Sequence, residues 1–273
     1  MISNSKLQYL KGLLLKKNRE KDGVFLVEGW RSLEEVCTEF TNVEMLVHTK
    51  EAASLERFAA VLSSARKIAR EQFEVTQNEF AQIAETETAQ GVAVVVKKIG
   101  LDFGKEIDAL VNESESFVVA LDQIADPGNL GAIIRTSDWF GARAVVLSQN
   151  CVELYNPKVI RSTVGSIAHV PVLDCSTNRT ALSDVLIALR AGGFRLYGAN
   201  VSGSTDLRST VWAKKSLLVI GNEARGISPA ILKILDEETA IPKFGKAESL
   251  NAGVAAGVFL SHYSFQLKHR SVR

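Results

Sequence analysis

The chain of 273 residues has only three cysteines, Cys37, Cys151 and Cys175, far apart and without a CxxC pair. That excludes a disulfide-held fold and offers no zinc-ligand spacing, so no metal is expected and a reducing, cytoplasmic setting is. An excess of charge of one sign is also missing, since 32 Lys and Arg stand against 31 Asp and Glu. With no overall basic field, any polyanionic partner must be gripped by local clusters. Long apolar runs are lacking too. Residues 91–96 and 254–260 are the kind of run the chain contains, far short of the roughly 20 residues that span a bilayer. The amino-terminal MISNSKLQYLKGLLLKK mixes lysines into an amphipathic pattern without a small-residue cleavage site, and reads as mature sequence, not as a signal peptide. What is present is apolar material, 46% hydrophobic against 23% charged. This balance excludes disorder and collagen, and suffices for one large domain or two ordinary ones.

Helix and strand patterns alternate throughout, which predicts α/β layers. In the first half, Leu7, Leu10, Leu14 and Leu15 form a helical stripe within residues 4–17. Strands are expected at 24–27, 44–48, 73–75 and 92–96, with helices from about residue 31, over 52–70 and near 78–84. The continuous β-branched run 92–96 reads as a buried strand. A weakly patterned stretch follows, and we place a linker at 99–115 between a domain of residues 1–98 and one of residues 116–273. The second half opens with a βαβ unit: strand 117–121, helix 130–140 and strand 144–147. Further strands are expected at 170–173, 194–198, 217–221 and 239–241, and helices at 157–165, 180–191, 229–235 and 249–266. The outcome is an open parallel sheet, which binds ligands at the carboxyl ends of its strands.

Three segments run from an apolar strand straight into a loop dense in Gly, Asn, Ser and charge. In FVVALDQIADPGNLGAIIRTSDWFGA, residues 126–129 supply turn chemistry and Gly131 permits close backbone approach. Arg135 stays within two helical turns of the crevice. By itself this segment reads more readily as a turn followed by a surface arginine. In SLLVIGNEARGIS, Asn222, Glu223 and Arg225 crowd the loop before Gly226, an arrangement equally compatible with a solvated charge pair. In TAIPKFGKAESLNAGVAAGVFLSHYSF, Ser249 suits a helix N-cap. The small residues Ala252, Gly253, Ala255, Ala256 and Gly257 imply that another backbone packs very close.

Taken together and in this order, the segments resemble the motifs of the SpoU/TrmH family in the SPOUT class of RNA methyltransferases. The matching residues are Asn129, Gly131 and Arg135; Gly221, Glu223 and Gly226; then Ile241, Pro242, Gly245, Ser249, Leu250 and Asn251. NPKVIRSTVGS, through Pro157, Lys158, Arg161, Ser162 and Gly165, is similar to a further family segment. The resemblance spans residues 117–266. Residues 1–98 are similar to the amino-terminal α/β substrate-binding domain of many members, related to RNA-binding ribosomal proteins, through KKNREKDGVFLVEG. Residues 1–31 hold seven Lys and Arg against three Asp and Glu. Lys16, Lys17, Arg19 and Lys21 are candidates to neutralise RNA phosphates; from the residues alone, a solvated basic helix face is an equal reading.

The resemblance implies methyl transfer from S-adenosylmethionine to a ribose 2′-hydroxyl of RNA, ribosomal RNA being favoured over transfer RNA. It also implies a deep trefoil knot, with loops 221–228 and 241–250 around the bent cofactor and 196–200 as a third wall. Asn129, Arg135, Glu223, Ser249 and Asn251 become the catalytic candidates. Ala199, Ile220, Gly221, Ile241, Leu250 and Ala252 are candidates for the cofactor, and Lys16, Lys17, Arg19 and Arg161 for RNA. A guanidinium, with a pKa above about 12, resists acting as a base, so Arg135 is expected to clamp phosphate or ribose. Glu223 is expected to pair with Arg135 or Arg225. A homodimer through the knotted domain is implied as well. Two departures bear on affinity and interface: Lys243 and Phe244 replace a methionine-containing approach to Gly245, and Ala252 and Gly253 replace a common Val-Ser pair. The alternatives are a transfer-RNA ribose methyltransferase and a non-catalytic RNA-binding or ribosome-assembly protein on the same scaffold. A dinucleotide-dependent oxidoreductase is disfavoured, because no GxGxxG turn follows a strand.

Overall fold

The computed structural model describes residues 2–40, 43–86 and 88–271. Its contacts divide the chain into two units: Met1–Gly100 with Glu153–His169, and Leu101–Val152 with Val170–Arg273.

The first unit is built on β1 (Val24–Glu28), β2 (Val43–Thr49), β3 (Ala69–Val75) and β4 (Val92–Lys97), in the order β1-β4-β2-β3. β4 is antiparallel to both β1 and β2, while β2 runs parallel to β3. A strand paired on both edges and covered on both faces must be apolar at successive positions. β4 meets that demand, with Val92, Ala93, Val94, Val95 and Val96 all fully buried. Alternation then separates the two faces. Leu26, Val47 and Val95 pack with Leu10, Phe80 and Ile83. Phe25, facing the other way, lies 6.5 Å from Phe40 and 4.7 Å from Tyr155, ring centre to ring centre.

Two helices expected to be continuous are divided. The stripe over 4–17 becomes Asn4–Gly12 and Lys16–Asp22. Asn18 Nδ2 donates to the Gly12 carbonyl at 2.8 Å, satisfying a terminal acceptor and so ending the first helix. The span 52–70 becomes Lys50–Ala53 and Ala59–Ile68, since Ala69 is taken by β3 in its pairing with Val43.

Among the described residues the second unit carries seven strands, β5 (Ser116–Asp122), β6 (Ala144–Leu147), β7 (Val172–Asp174), β8 (Arg195–Ala199), β9 (Thr205–Asp206), β10 (Lys215–Gly221) and β11 (Glu237–Ala240). All are parallel, in the order β7-β6-β5-β10-β8-β11-β9. The α/β parallel-sheet expectation therefore holds. β11 fills the slot between β8 and β9, although those two strands follow one another in the chain. One face of the sheet, including Val118, Val146 and Val219, packs with Leu186, Leu189 and Ile231. On the other face Phe117 stacks on Tyr263 at 3.7 Å and meets Trp212 edge-on at 5.8 Å. Helix Ala252–Ser271 thus covers that side of β5. Residues 99–115, expected as a linker, contain the helix Phe103–Asn112, capped by Asp102, which accepts from the Lys105 amide at 3.2 Å.

Candidate functional site

Register brings the carboxyl ends of four strands side by side. Gly221 of β10 pairs with Asp122 of β5, Ile220 with Ala199 of β8, and Thr239 of β11 with that same Ala199. The expected cofactor residues Ala199 and Ile220 are therefore neighbours, and the chain leaves β11 through Ile241 at the same level. Such a line of parallel strand ends is where α/β sheets present backbone groups to a ligand.

The exits of β5 and β10 are tied down by polar side chains, of which the sequence pattern pointed to Asn222 but not to Asp122. Asp122 is buried, and its Oδ2 accepts from the Ser228 amide at 2.7 Å. Gln123 next to it holds a left-handed φ of 62°, the sort of strain that persists only where neighbours over-determine the backbone. Its amide donates to Ser148 Oγ and its carbonyl accepts from Asn222 Nδ2, both at 2.8 Å. Asn222 Oδ1 in turn accepts from the amides of Ala224 at 3.0 Å and Arg225 at 3.1 Å. Asn222 and Gly226 also pair through their backbones at 3.0 and 2.8 Å. The loop closes so tightly that a Cβ on Gly221 would lie 2.2 Å from the Gly226 carbonyl carbon. Only glycine fits there.

A relay of side-chain amides joins the three segments. Asn251 Oδ1 caps helix Ala252–Ser271, accepting from the amides of Gly253 at 2.9 Å and Val254 at 3.2 Å. Its nitrogen must then face outward, and Nδ2 donates to Asn129 Oδ1 at 2.8 Å. Asn129 is left with its own Nδ2 to give, which it donates to Glu223 Oε1 at 2.8 Å. Each amide orientation follows from the one before, because an amide has one accepting and one donating end. Asn129 itself sits at the start of helix Pro127–Trp139, where its amide is capped by Asp126 Oδ1 at 2.8 Å.

The relay brings together Asn129, Glu223 and Asn251 and leaves Ser249 outside. Residues 243–250 are exposed, and among the described residues Ser249 makes no hydrogen bond. The N-cap role expected of Ser249 belongs to Asn251, because the helix begins at Ala252. Glu223, expected to pair with Arg135 or Arg225, spends its carboxylate on Asn129 instead. Arg135 is exposed and, among the described residues, has no hydrogen bond or ion pair. An uncommitted guanidinium on the helix that the amide relay fixes at its start can hold an anionic oxygen.

Of the remaining cofactor candidates, Ala252 is buried and Leu250 half-exposed. A Cβ added at Gly226 or Gly245 would meet nothing within 4 Å. These loops therefore face open space, whereas Gly221 faces backbone. Among the described residues the buried hydroxyl of Thr239 finds no hydrogen-bond partner. The helix face carrying Gly253 and Gly257 packs on helix Pro127–Trp139, with Gly253 against Ala132 and Gly257 against Thr136. The close backbone announced by the small residues is thus one in the same chain. The other face of helix Ala252–Ser271, with Val254 and Val258, lines an apolar groove of about 840 Å³ that also takes in Leu207, Ile241, Pro242 and Phe244. His262 lies in this groove. Its Nδ1 accepts from the Trp212 indole at 2.9 Å, and burial pushes its pKa down.

In the first unit Lys16 and Lys17 are exposed, Lys16 lying 3.5 Å from Glu20. Arg161 lies 3.4 Å from Glu85. Arg19 corrects an expectation. It is 2% exposed, forms an ion pair with Glu153 and donates to the Leu13 carbonyl at 2.7 Å. A guanidinium so enclosed organises the fold and is not free for phosphate. Among the described residues no cluster of His, Cys, Asp or Glu is arranged to hold a metal ion, and no helix is long and apolar enough to cross a membrane.

Residues 116–261 match the model of the SpoU rRNA Methylase family, and residues 4–94 that of the MRM3-like substrate binding domain. The chain belongs to the SpoU rRNA methylase family. It is 31% identical to the 23S rRNA (guanosine(2553)-2'-O)-methyltransferase RlmP of Bacillus subtilis, over 95% of this chain and 96% of that one. To the 23S rRNA (uridine(2479)-2'-O)-methyltransferase of Streptomyces viridochromogenes it is 29% identical, over 94% and 88%. Among solved structures, the SpoU methyltransferase AviRb from S. viridochromogenes in complex with the cofactor AdoMet superposes with a TM-score of 0.82. It is 28% identical, with 97% of this chain and 99% of that one covered. The AdoMet-bound rRNA methyltransferase from Sinorhizobium meliloti gives a TM-score of 0.83 at 25% identity, covering 98% and 97%.

Proposed function

We propose that the chain transfers a methyl group from S-adenosylmethionine to a ribose 2′-hydroxyl of ribosomal RNA. The observation that carries this reading is the Asn251–Asn129–Glu223 relay, which locks three strand-end segments together and fixes the start of the helix that carries Arg135. The relatives named as 23S rRNA 2′-O-methyltransferases support the substrate class.

The residues present suit the cofactor. Ala199, Ile220, Gly221, Ile241, Leu250 and Ala252 are themselves small or apolar and offer backbone edges, and Gly226 and Gly245 in the adjoining loops open onto free space. S-adenosylmethionine supplies, when bound, a methyl group on a positively charged sulfur that leaves readily. The protein's task is therefore positioning. Arg135 holds a phosphate or ribose oxygen of the RNA, and its fixed positive field eases loss of the hydroxyl proton, which passes to solvent as the oxygen takes the methyl group and the sulfur leaves as a neutral thioether. Asn129, held at both ends, keeps the helix that carries Arg135 in register with the β10 loop. Asn251 anchors the third segment, and Ser249, exposed on the loop before it, is available to the ribose. Lys16, Lys17 and Arg161 contribute RNA phosphate contacts from the first unit.

We infer a knot from the placement of β11 between the consecutive strands β8 and β9. Gly203 supports it, since a Cβ there would lie 2.7 Å from the backbone of Thr239. The exposed stripe of Val254, Val258 and Phe265, with Phe244, supports a homodimer through this domain. Incubation with tritiated S-adenosylmethionine and separated ribosomal and transfer RNA tests the function. Label in ribosomal RNA is expected; label in transfer RNA alone would reassign the substrate, and none in either would reject the enzyme.

A further inference from the structure

Trp139 is 84% exposed, whereas Trp30 and Trp212 are 3% and 1% exposed. Its indole has no hydrogen bond, ring contact or cation contact among the described residues. The helix that carries it assigns its other faces clearly. Leu130, Ile133, Ile134 and Ser137 are buried, and Ala132 and Thr136 meet Gly253 and Gly257 of helix Ala252–Ser271. Arg135 and Trp139, four residues apart, share the face that remains. One helical turn, about 6 Å, separates them along the axis.

A free guanidinium followed one turn later by a free indole matches a ligand that is anionic and flat at once. Single-stranded RNA has that chemistry, a phosphate beside an unstacked base, and proteins read it by pairing cations with aromatic platforms. We infer that Trp139 is an RNA-binding residue that stacks on a base next to the phosphate held by Arg135. The inference rests on the proposed role of Arg135 toward RNA. It adds a platform for an unpaired base, which selects a single-stranded or splayed-out target over a continuous duplex. The apolar stripe of Val254, Val258 and Phe265 lies on a different helix and consists of uncharged residues, so it does not itself share this chemistry.

The probes are a twelve-nucleotide oligo(A) and an abasic ribose-phosphate oligomer of the same length. Because the other two indoles are buried, acrylamide quenching of the intact protein reports chiefly on Trp139. Oligo(A) is expected to shield that fluorescence and the abasic oligomer is not. Trp139→Ala should weaken oligo(A) binding about tenfold and raise KM for ribosomal RNA with kcat nearly unchanged, while Trp139→Phe should keep most of the affinity. An indole still open to acrylamide with oligo(A) bound would overturn the inference. So would a Trp139→Ala protein of halved mass in gel filtration with unaltered oligo(A) affinity, which would make the indole a contact between copies. Should the wild type shield its indole yet transfer no methyl group, the proposed enzymatic function fails while the stacking role stands.

Discussion

Asn251 donates its side-chain amide to Asn129 at 2.8 Å across 122 positions of chain. The same Asn251 side chain caps a helix through its oxygen. One residue therefore starts helix Ala252–Ser271 and fixes the amide that reaches Glu223, so the two tasks can be separated by chemistry.

Asn251→Asp keeps the cap, because a carboxylate accepts from helix amides as well as an asparagine oxygen does. It cannot donate to Asn129. Thermal unfolding should show a stability change within about 1 kcal/mol, and methyl transfer should fall at least about tenfold, as expected when a positioned group shifts by a fraction of an ångström. Equal turnover in the variant and the wild type would remove the relay from the mechanism.

Gly221→Ala places a methyl 2.2 Å from backbone that cannot swing aside. The loop closed by Asn222 and Gly226 must open, at a cost of about 1–3 kcal/mol by analogy with overpacked cores. Urea denaturation should report that loss, and calorimetry should find weakened S-adenosylmethionine binding. An unchanged unfolding midpoint would mean that the loop relaxes at little cost.

Glu153→Ala strands the buried guanidinium of Arg19. Removing one partner of a buried pair costs about 3–5 kcal/mol, whereas exchanging both partners for apolar residues is often near neutral. Arg19→Met with Glu153→Leu should accordingly recover most of the stability. Lys17→Ala, on an exposed residue, should leave the unfolding midpoint alone and reduce the salt dependence of RNA binding by nearly one counterion. If the double variant loses RNA affinity as Lys17→Ala does, Arg19 contacts RNA after all.

His262 makes stability depend on pH. Burial lowers its folded pKa below the ordinary 6.5, and its Nδ1 is occupied as an acceptor for Trp212. The unfolded chain then binds the proton first as pH falls. The contribution is fully present above about 6.5, declines below it and is lost once pH passes under the folded value. Denaturant midpoints at about pH 7.5 and 5 should fall farther for the wild type than for His262→Gln; equal falls would exclude this residue.

Patterning along the chain made the parallel sheet legible. β5 and β10 are apolar runs that stop abruptly at polar residues, and those stops mark the site. Burial of Arg19 could not be read from KKNREKDG, because its partner Glu153 lies 134 positions away. The same holds for Asp122 and Asn222, whose roles come from Ser228 and Gln123 across the strand ends. Helix Phe103–Asn112 was obscured by Gly104 and by burying Leu110 alone in full. β9, two residues long, has no period to detect. The motif pattern pointed to Asn129, Glu223 and Asn251 as a group, but the direction of each hydrogen bond had to come from the cap at Gly253.

The most direct measurement follows from the chemistry of the product. A 2′-O-methyl ribose lacks the hydroxyl that alkali uses to cleave the next phosphodiester, so its nucleotide survives hydrolysis as part of a dinucleotide. After reaction of ribosomal RNA with methyl-labelled S-adenosylmethionine and alkaline digestion, the label should appear in alkali-stable dinucleotides with the wild type and be absent with Arg135→Ala. Label confined to mononucleotides, which would place the methyl group on a base, or equal dinucleotide label from Arg135→Ala, would contradict the account.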